Sequence, residues 1–233
     1  MKRSEVRTVA DVAAAVASDL AEQVSGAVGL RGAARICLAG GATPIPAYQH
    51  LSRRRDLPWG RVWIAWGDER NVPPDHPDRN ERAAREALIE HVPIPVDQVL
   101  PWPWFEHAAP AELADSYAET LRRTLGDPQQ RPWFDLVLLG LGADAHTASL
   151  FPGSGAVHAA GMATAVRPVG QQHARLTLTP AALSCARQVW FLASGEAKRA
   201  ALERTLEGGD PDLLPASAIT AGEELRVYTD LEL

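Results

Sequence analysis

The stretch Phe134–Gly153, FDLVLLGLGADAHTASLFPG, decides the predicted fold of this chain. Its first part, residues 134–139, is a short and nearly continuous apolar run, which is typical of a strand that helices cover on both faces. A glycine loop follows, and it carries Asp144 and His146. In open α/β sheets ligands bind at the carboxyl edge, where such loops leave the strands, so we expect both side chains to be functional. Without functional neighbours, the histidine would more simply be a hydrogen-bonded loop residue.

Length and composition favour a single cytoplasmic domain. The chain has 233 residues, which suits one large core and is short for two, so we predict one domain over 1–233. The formal net charge is -6 and the basic residues are scattered, which argues against a nucleic-acid partner. The sequence lacks a long apolar stretch for a membrane span and acquires acids too early for a secretory signal. Cys37 and Cys185 are distant in sequence and predict free thiols rather than a disulfide or metal site.

A second predicted strand, over 35–39, runs into the glycine turn Gly40–Pro44. Thr43 before a proline is a good start signal for a helix, which we predict over 44–51. Free backbone N–H groups between a strand and a helix form an anion site, so a phosphate would fit here. Two adjacent glycines more often make only a tight turn, and at this point that interpretation stays open.

Two more predicted strands end in charged groups. The strand over 61–67 is followed directly by Asp68–Arg70, and the strand over 188–193 precedes a helix with Lys198 in its first turn. A cation at that end opposes the helix dipole, so its placement makes more sense if an anion binds nearby. Taken singly, each group could be ordinary surface charge.

The remaining elements mostly alternate between strand and helix. We predict a helix with Thr8 as its N-cap and Asp11 as the reciprocal partner, helices over 80–90 and 111–125, an edge strand or extended connection over 99–105, and strands over 163–166, 175–179 and 225–229. This order predicts a three-layer α/β fold, in which helices cover both faces of a mostly parallel sheet with right-handed crossovers. The four strand ends described above would then meet at one edge of the sheet.

Several motifs resemble those of the 6-phosphogluconolactonase family, which is related to the glucosamine-6-phosphate deaminases. They are, in the order of that family, LAGGATP (38–44), WGDERNVPPDHPDRN (66–80), FDLVLLGLGADAHTASLFPG (134–153), RLTLT (175–179), GEAKRAAL (195–202) and LPASAI (214–219). The resemblance implies a Rossmann-like fold and hydrolysis of 6-phospho-D-glucono-1,5-lactone to 6-phospho-D-gluconate, in the oxidative pentose phosphate or Entner–Doudoroff pathway. It also implies catalysis without a metal or a cofactor, on a small phosphosugar lactone as partner.

Lactone hydrolysis needs a base to activate water, donors for the developing oxyanion and a grip on the remote phosphate. By the resemblance His146 is the general base, and Asp144 or Asp68 orients it. The predicted phosphate-binding groups are the side chains of Arg70, Arg175 and Lys198 and the backbone N–H groups of Gly40, Gly41, Ala42 and Thr43. Glu69 and Asn80 are possible braces of the loop.

The chain departs from the family pattern at four positions near these groups. Ala39 and Ala42 stand where the family commonly has hydroxyl side chains, and Arg79 replaces a usual serine. Ala145 stands where the family has glycine. If that position requires a positive φ, alanine costs roughly 1–2 kcal/mol.

Two other functions stay open on the sequence. A phosphosugar isomerase or deaminase shares the same motifs but needs a further acid after the histidine, and the sequence has no carboxylate from His146 to Gly153. A non-catalytic phosphosugar sensor would keep the phosphate grip alone, and Ala145 is the best support for it. The sequence leaves the oligomeric state open between a monomer and a homodimer.

Overall fold

A parallel sheet of seven strands forms the centre of the protein in the computed structural model, which describes residues 3–233. The strands are β1 (Arg3–Thr8), β2 (Ala34–Leu38), β3 (Val62–Trp66), β4 (Asp68–Arg70), β5 (Val99–Leu100), β6 (Phe134–Gly140), β7 (Ala163–Val166), β8 (Arg175–Leu178), β9 (Ala186–Ala193) and β10 (Glu224–Thr229). The helices are α1 (Val12–Arg31), α2 (Ile45–Leu51), α3 (Asn80–Ala87), α4 (Pro110–Leu125), α5 (Pro180–Leu183) and α6 (Arg199–Glu207). The main sheet has the order β1-β10-β9-β6-β2-β3-β5, and each pair of neighbours in it is parallel. The predicted α/β class and parallel sheet are confirmed.

The chain changes direction within the sheet between β2 and β6. From β2 it proceeds through β3 to β5 at one edge, and from β6 it proceeds through β9 and β10 toward the other. Such a reversal leaves a crevice outside the carboxyl ends of the two strands, where doubly wound folds bind ligands. The buried run of β6, with Leu136, Val137, Leu138 and Leu139 each at most 1% exposed, is the central wall below this crevice.

A second, smaller sheet was not predicted as such. It is antiparallel, in the order β4-β8-β7, so the strand predicted over 175–179 does not join the parallel sheet. Its strand β4 follows β3 after the single residue Gly67 and consists of the charged segment Asp68–Arg70. The charged residues that follow β3 therefore form an edge strand of the small sheet.

Three helix starts and ends differ from the predictions. Thr8 ends β1, which was not predicted, and Asp11 caps α1 by accepting the N–H of Ala14 at 2.9 Å. Pro44, not Thr43, occupies the N-cap position of α2. The helix predicted over 80–90 ends at Ala87, and a short 3-10 turn follows.

Other sequence predictions are confirmed, in one case with a shorter strand than expected. The segment predicted over 99–105 contributes the two-residue β5 at the edge of the sheet. Cys37 is buried, Cys185 is half-buried, and both thiols are free. Within residues 3–233 no helix combines the length and the apolar character needed to cross a membrane.

Candidate active site

A cleft of about 310 Å³ opens at the carboxyl ends of β2 and β6, where the chain reverses its direction through the sheet. Its walls come from the ends of both strands and from the glycine loop, and they include Asp68, Arg70, His146 and Lys198. The volume lies at the lower end of the range usual for small-molecule sites. The fold thus brings all four predicted strand ends to one place.

The glycine loop 40–43 turns its backbone toward the cleft. Within residues 3–233 none of its N–H groups donates a hydrogen bond to another backbone group, which leaves them available to an anion. The hydroxyl of Tyr48 on α2 fixes the start of the loop, since it accepts the N–H of Ala39 at 3.1 Å and donates to the Ala39 carbonyl at 2.9 Å. Gly40 must lack a side chain, because a Cβ there would lie 2.1 Å from Oδ1 of Asn80.

His146 is paired with Asp144. Nδ1 of His146 lies 2.5 Å from Oδ1 of Asp144, which also accepts the backbone N–H of His146 at 3.1 Å. The ring of Phe151 stacks on the imidazole at a centroid distance of 4.6 Å. Partial burial alone would raise the pKa of Asp144, but the hydrogen bonds from His146 outweigh it and lower the pKa of that carboxyl. The imidazole faces the cleft, whereas Asp144 lies on the wall of a neighbouring pocket of about 470 Å³.

A tight turn over 142–146 brings this pair together. The carbonyl of Gly142 accepts the N–H of Ala145 at 3.0 Å, and the N–H of Gly142 donates to the carbonyl of His146 at 2.8 Å. Ala145 has a φ of 66°, in the left-handed region, and it is fully buried. The strain costs roughly 1–2 kcal/mol, and burial of the methyl group offsets about 0.8 kcal/mol of it. The position therefore does require a positive φ, and the chain tolerates alanine there.

Asp68 is held by other contacts. The hydroxyl of Ser149 donates to Oδ2 of Asp68 at 2.6 Å, and the amide of Asn80 donates to the Asp68 carbonyl at 3.0 Å. Asp68 is 9% exposed and lines the cleft. In the described part of the chain it forms no hydrogen bond with His146. The geometry thus distinguishes the two aspartates and pairs the histidine with Asp144.

Glu69 follows Asp68 in β4 and is fully buried. Its carboxyl accepts the backbone N–H groups of Arg70 at 2.8 Å, Asn80 at 2.7 Å and Glu81 at 2.8 Å. Burial raises the pKa of Glu69 to about 7, although these hydrogen bonds oppose the shift. Glu69 therefore ties the end of β4 to the start of α3, as expected of a brace.

Arg79 belongs to the same buried network of hydrogen bonds and ion pairs. It is 2% exposed, its Nε lies 3.0 Å from Oε2 of Glu81 and 4.0 Å from Oε2 of Glu69, and its other nitrogens donate to the carbonyls of Val72 and Trp102. A serine at this position could not reach so many acceptors. The departure at Arg79 is therefore a structural feature that fixes the loop after β4.

Arg70 and Arg175 stand opposite each other in register on β4 and β8. Nη1 of Arg70 donates to the carbonyl of Asp78 at 2.6 Å, and Nη2 of Arg175 donates to Oε1 of Gln171 at 2.8 Å. Burial and the charge of Arg70 lower the pKa of Arg175. Like charges on directly opposed residues destabilise a strand pair, so the arrangement favours a bound anion.

The predicted site residues fall into two groups in the structure. His146, Asp68, Arg70, Lys198 and the loop 40–43 all line the cleft. In the described part of the chain, Asp144 and Arg175 do not line the cleft. Asp144 contacts His146, and Arg175 pairs with Arg70 in the small sheet.

Sequence reasoning missed three residues that shape the site. Ser149 positions Asp68, Phe151 stacks on the imidazole, and Gly142 leaves room for it, since a Cβ there would lie 2.1 Å from Nδ1 of His146. All three lie in the loop quoted at the outset. The glycine alone gave a usable signal, because glycine is the usual residue at tight turns and where another group approaches the backbone closely.

The chain is similar to known proteins along most of its length. A family model described as glucosamine-6-phosphate isomerases/6-phosphogluconolactonase matches residues 7–228. The 6-phosphogluconolactonase of Synechocystis sp. is 40% identical over 206 residues, covering 87% of this chain and 84% of that protein. That of Mycobacterium tuberculosis is 37% identical over 210 residues, covering 88% and 85%.

Solved structures show the same fold. The crystal structure of 6-phosphogluconolactonase from Thermotoga maritima has a TM-score of 0.87 at 26% identity, and the match covers 97% of this chain and 99% of that one. A monomeric glucosamine-6-phosphate deaminase has a TM-score of 0.79 at 18% identity, which shows a common fold alone. On the strength of the family match and these relatives, the chain belongs to the glucosamine-6-phosphate isomerase/6-phosphogluconolactonase family.

Proposed function

We propose that this enzyme hydrolyses 6-phospho-D-glucono-1,5-lactone to 6-phospho-D-gluconate with a water molecule that His146 activates. The reaction type follows from its relatives, which are named 6-phosphogluconolactonases and match this chain along most of their length. The roles of individual residues rest on geometry. The observation that carries them is the contact of 2.5 Å between His146 and an ionised Asp144 at the edge of the cleft.

This contact determines which imidazole nitrogen can act as a base. An ionised carboxylate only accepts hydrogen bonds, so Nδ1 of His146 must carry the proton that it shares with Asp144. In the neutral ring Nε2 is then unprotonated and can take a proton from water. The oxygen of that water forms a bond to the lactone carbonyl carbon. When the bond from this carbon to the ring oxygen breaks, Nε2 returns its proton to the leaving oxygen, which balances the reaction.

Asp68 serves a different role in this proposal. It is fixed by Ser149 and Asn80, and it lines the cleft without contacting the imidazole. Within residues 3–233 it is the one carboxylic acid on the cleft wall. A deaminase or isomerase needs a further acid for ring opening, so the single carboxylate favours hydrolysis. The pairing of His146 with Asp144 argues against a sensor that has lost its chemistry.

The phosphate of the substrate would bind to loop 40–43, Arg70 and Lys198. These residues line the cleft, and the N–H groups of the loop have no backbone hydrogen-bond partner among the described residues. Within residues 3–233 Lys198 makes no salt bridge, so its charge is available to a ligand. This grip is remote from the reacting carbon and can orient the lactone carbonyl toward His146. A cytoplasmic location and a monomeric or dimeric state remain predictions.

The decisive experiment measures lactone decay above the spontaneous rate. His146→Ala should lower kcat by about 10²–10⁴ while binding of 6-phosphogluconate persists. Arg70→Ala should instead weaken the preference for phosphorylated over unphosphorylated lactone. The matched control is His158→Ala, which alters another histidine paired with an aspartate, since Nε2 of His158 lies 3.0 Å from Oδ1 of Asp212. A wild-type rate equal to spontaneous decay would refute the proposed function, and equal losses in both histidine variants would refute the role of His146.

A further inference from the structure

A group of metal-binding side chains lies outside the cleft, where the loop after β4 meets the segment before β8. His76, Asp78 and His173 each offer one donor atom, and these atoms all lie within 4.8 Å of one another. The structure contains no second such group of three within residues 3–233. From this geometry we propose that His76, Asp78 and His173 bind one Zn²⁺ ion.

The donor set suits zinc. Imidazole nitrogen is a borderline donor and carboxylate oxygen a hard one, and zinc accepts both, whereas calcium and magnesium require oxygen ligands almost alone. Three protein ligands leave the fourth tetrahedral position to water or another small ligand. The ligands come from two segments that are distant in sequence, so an ion would link the loop after β4 to the segment before β8.

The distances require little rearrangement. At zinc bond lengths of about 2.0–2.2 Å, two ligands of a tetrahedral ion lie about 3.4 Å apart. Nε2 of His173 lies 3.4 Å from Oδ2 of Asp78, so this pair already has the required spacing. The ring of His76 stands edge-on to that of His173, with centroids 5.2 Å apart. Rotation of this partly exposed side chain can bring its nitrogen in by the remaining distance.

His173 supplies an independent indication of a ligand. Its Nε2 is buried and has no hydrogen-bond partner within residues 3–233. A simple ion pair with Asp78 would be expected at about 2.7–2.9 Å, which is shorter than the distance found. His76 has only a weak competing contact, since its Nδ1 accepts the N–H of Asp78 at 3.1 Å. An ion between the three side chains would satisfy the buried nitrogen.

The neighbouring charges limit the affinity and suggest a consequence. Arg70 and Arg175 lie close by and repel a cation, so we expect weaker binding than at a structural zinc site. Arg70 also donates to the carbonyl of Asp78 at 2.6 Å, which places one of the phosphate-binding groups of the proposed function next to a zinc ligand. If that function holds, zinc should change KM for the phosphorylated lactone more than kcat.

The test is calorimetric titration of the full chain with Zn²⁺ alone. A second titration with Co²⁺ is read by absorption, because tetrahedral Co²⁺ complexes absorb strongly in the visible range. We expect one equivalent to bind, a rise in the thermal midpoint, and loss of affinity by at least about tenfold in His76→Asn and His173→Asn. Thermal midpoints without metal show whether each variant is folded.

Two control variants locate the ion. His158→Asn removes a histidine that has a single aspartate partner and should bind zinc as the wild type does. His146→Asn separates this site from the catalytic pair and should also retain binding. Unchanged affinity in His76→Asn and His173→Asn, or loss of binding in His146→Asn, would overturn the proposal. None of these measurements uses the lactone, so they can fail or succeed independently of the proposed function.

Discussion

Replacing Gly142 by alanine should disable the site without removing any of its functional groups. A Cβ at this position would lie 2.1 Å from Nδ1 of His146, 2.4 Å from its Cε1 and 2.5 Å from Oδ1 of Asp144. Non-bonded carbon contacts are favourable only near 3.5–4.0 Å, so the imidazole has to move by roughly 1.5 Å. That shift breaks the contact with Asp144, and a displacement of about 1 Å can already cost 10²-fold in rate. We expect kcat to fall by about 10²–10³.

The assay is lactone hydrolysis corrected for spontaneous decay, with binding of 6-phosphogluconate measured in parallel. Binding should change little, because the clash lies at the imidazole and not at loop 40–43. Gly60→Ala is the matched control, since a Cβ at exposed Gly60 meets no atom of the described residues within 4 Å. Full activity of the Gly142 variant, or a structure of it with the His146–Asp144 contact intact, would refute the reasoning.

Two further predictions concern stability. The pKa of Glu69 is raised from 4.5 to about 7, so its contribution to the free energy of unfolding is present below pH 4.5 and is lost as the pH rises through 7. The difference in free energy of unfolding between wild type and Glu69→Gln, measured with denaturant, should therefore change by up to roughly 3 kcal/mol between pH 4.5 and pH 7. A difference that does not depend on pH would contradict this prediction. Ala145→Gly relieves about 1–2 kcal/mol of strain but loses about 0.8 kcal/mol of methyl burial and about 0.4–1 kcal/mol through the unfolded chain. Its free energy of unfolding should therefore stay within about 1 kcal/mol of wild type, and a loss above about 2 kcal/mol would show that the cavity outweighs the strain.

The sequence predicted the central strands of the main sheet well, because buried parallel strands have nearly continuous apolar runs. It missed the edge strand β1, RSEVRT, which has no such run. The small sheet was harder to foresee. Its strand β4 is three charged residues long, and its partner β8 follows about a hundred residues later in the chain. A strand so short has no periodicity of its own, and only pairing across the fold defines it.

The same distinction applies to the site. Parallel strands place their carboxyl ends at one edge, so the convergence of the glycine loop, Asp68 and His146 could be predicted from element order alone. The contact from Ser149 to Asp68 joins residues that are 81 positions apart, and no pattern in the sequence marks it. Choosing between Asp144 and Asp68 as the partner of the histidine likewise required coordinates.

The groups that line the cleft suit the phosphorylated lactone of the proposed function. Arg70 and Lys198 line the cleft together with loop 40–43, and Arg70 is opposed in register by a second arginine, Arg175. His146 lines the same cleft, and its Nδ1 lies 2.5 Å from Oδ1 of Asp144. If the proposed function holds, these cations and N–H groups bind the phosphate dianion of the substrate. Binding energy from the phosphate would then serve to orient the lactone carbonyl toward His146.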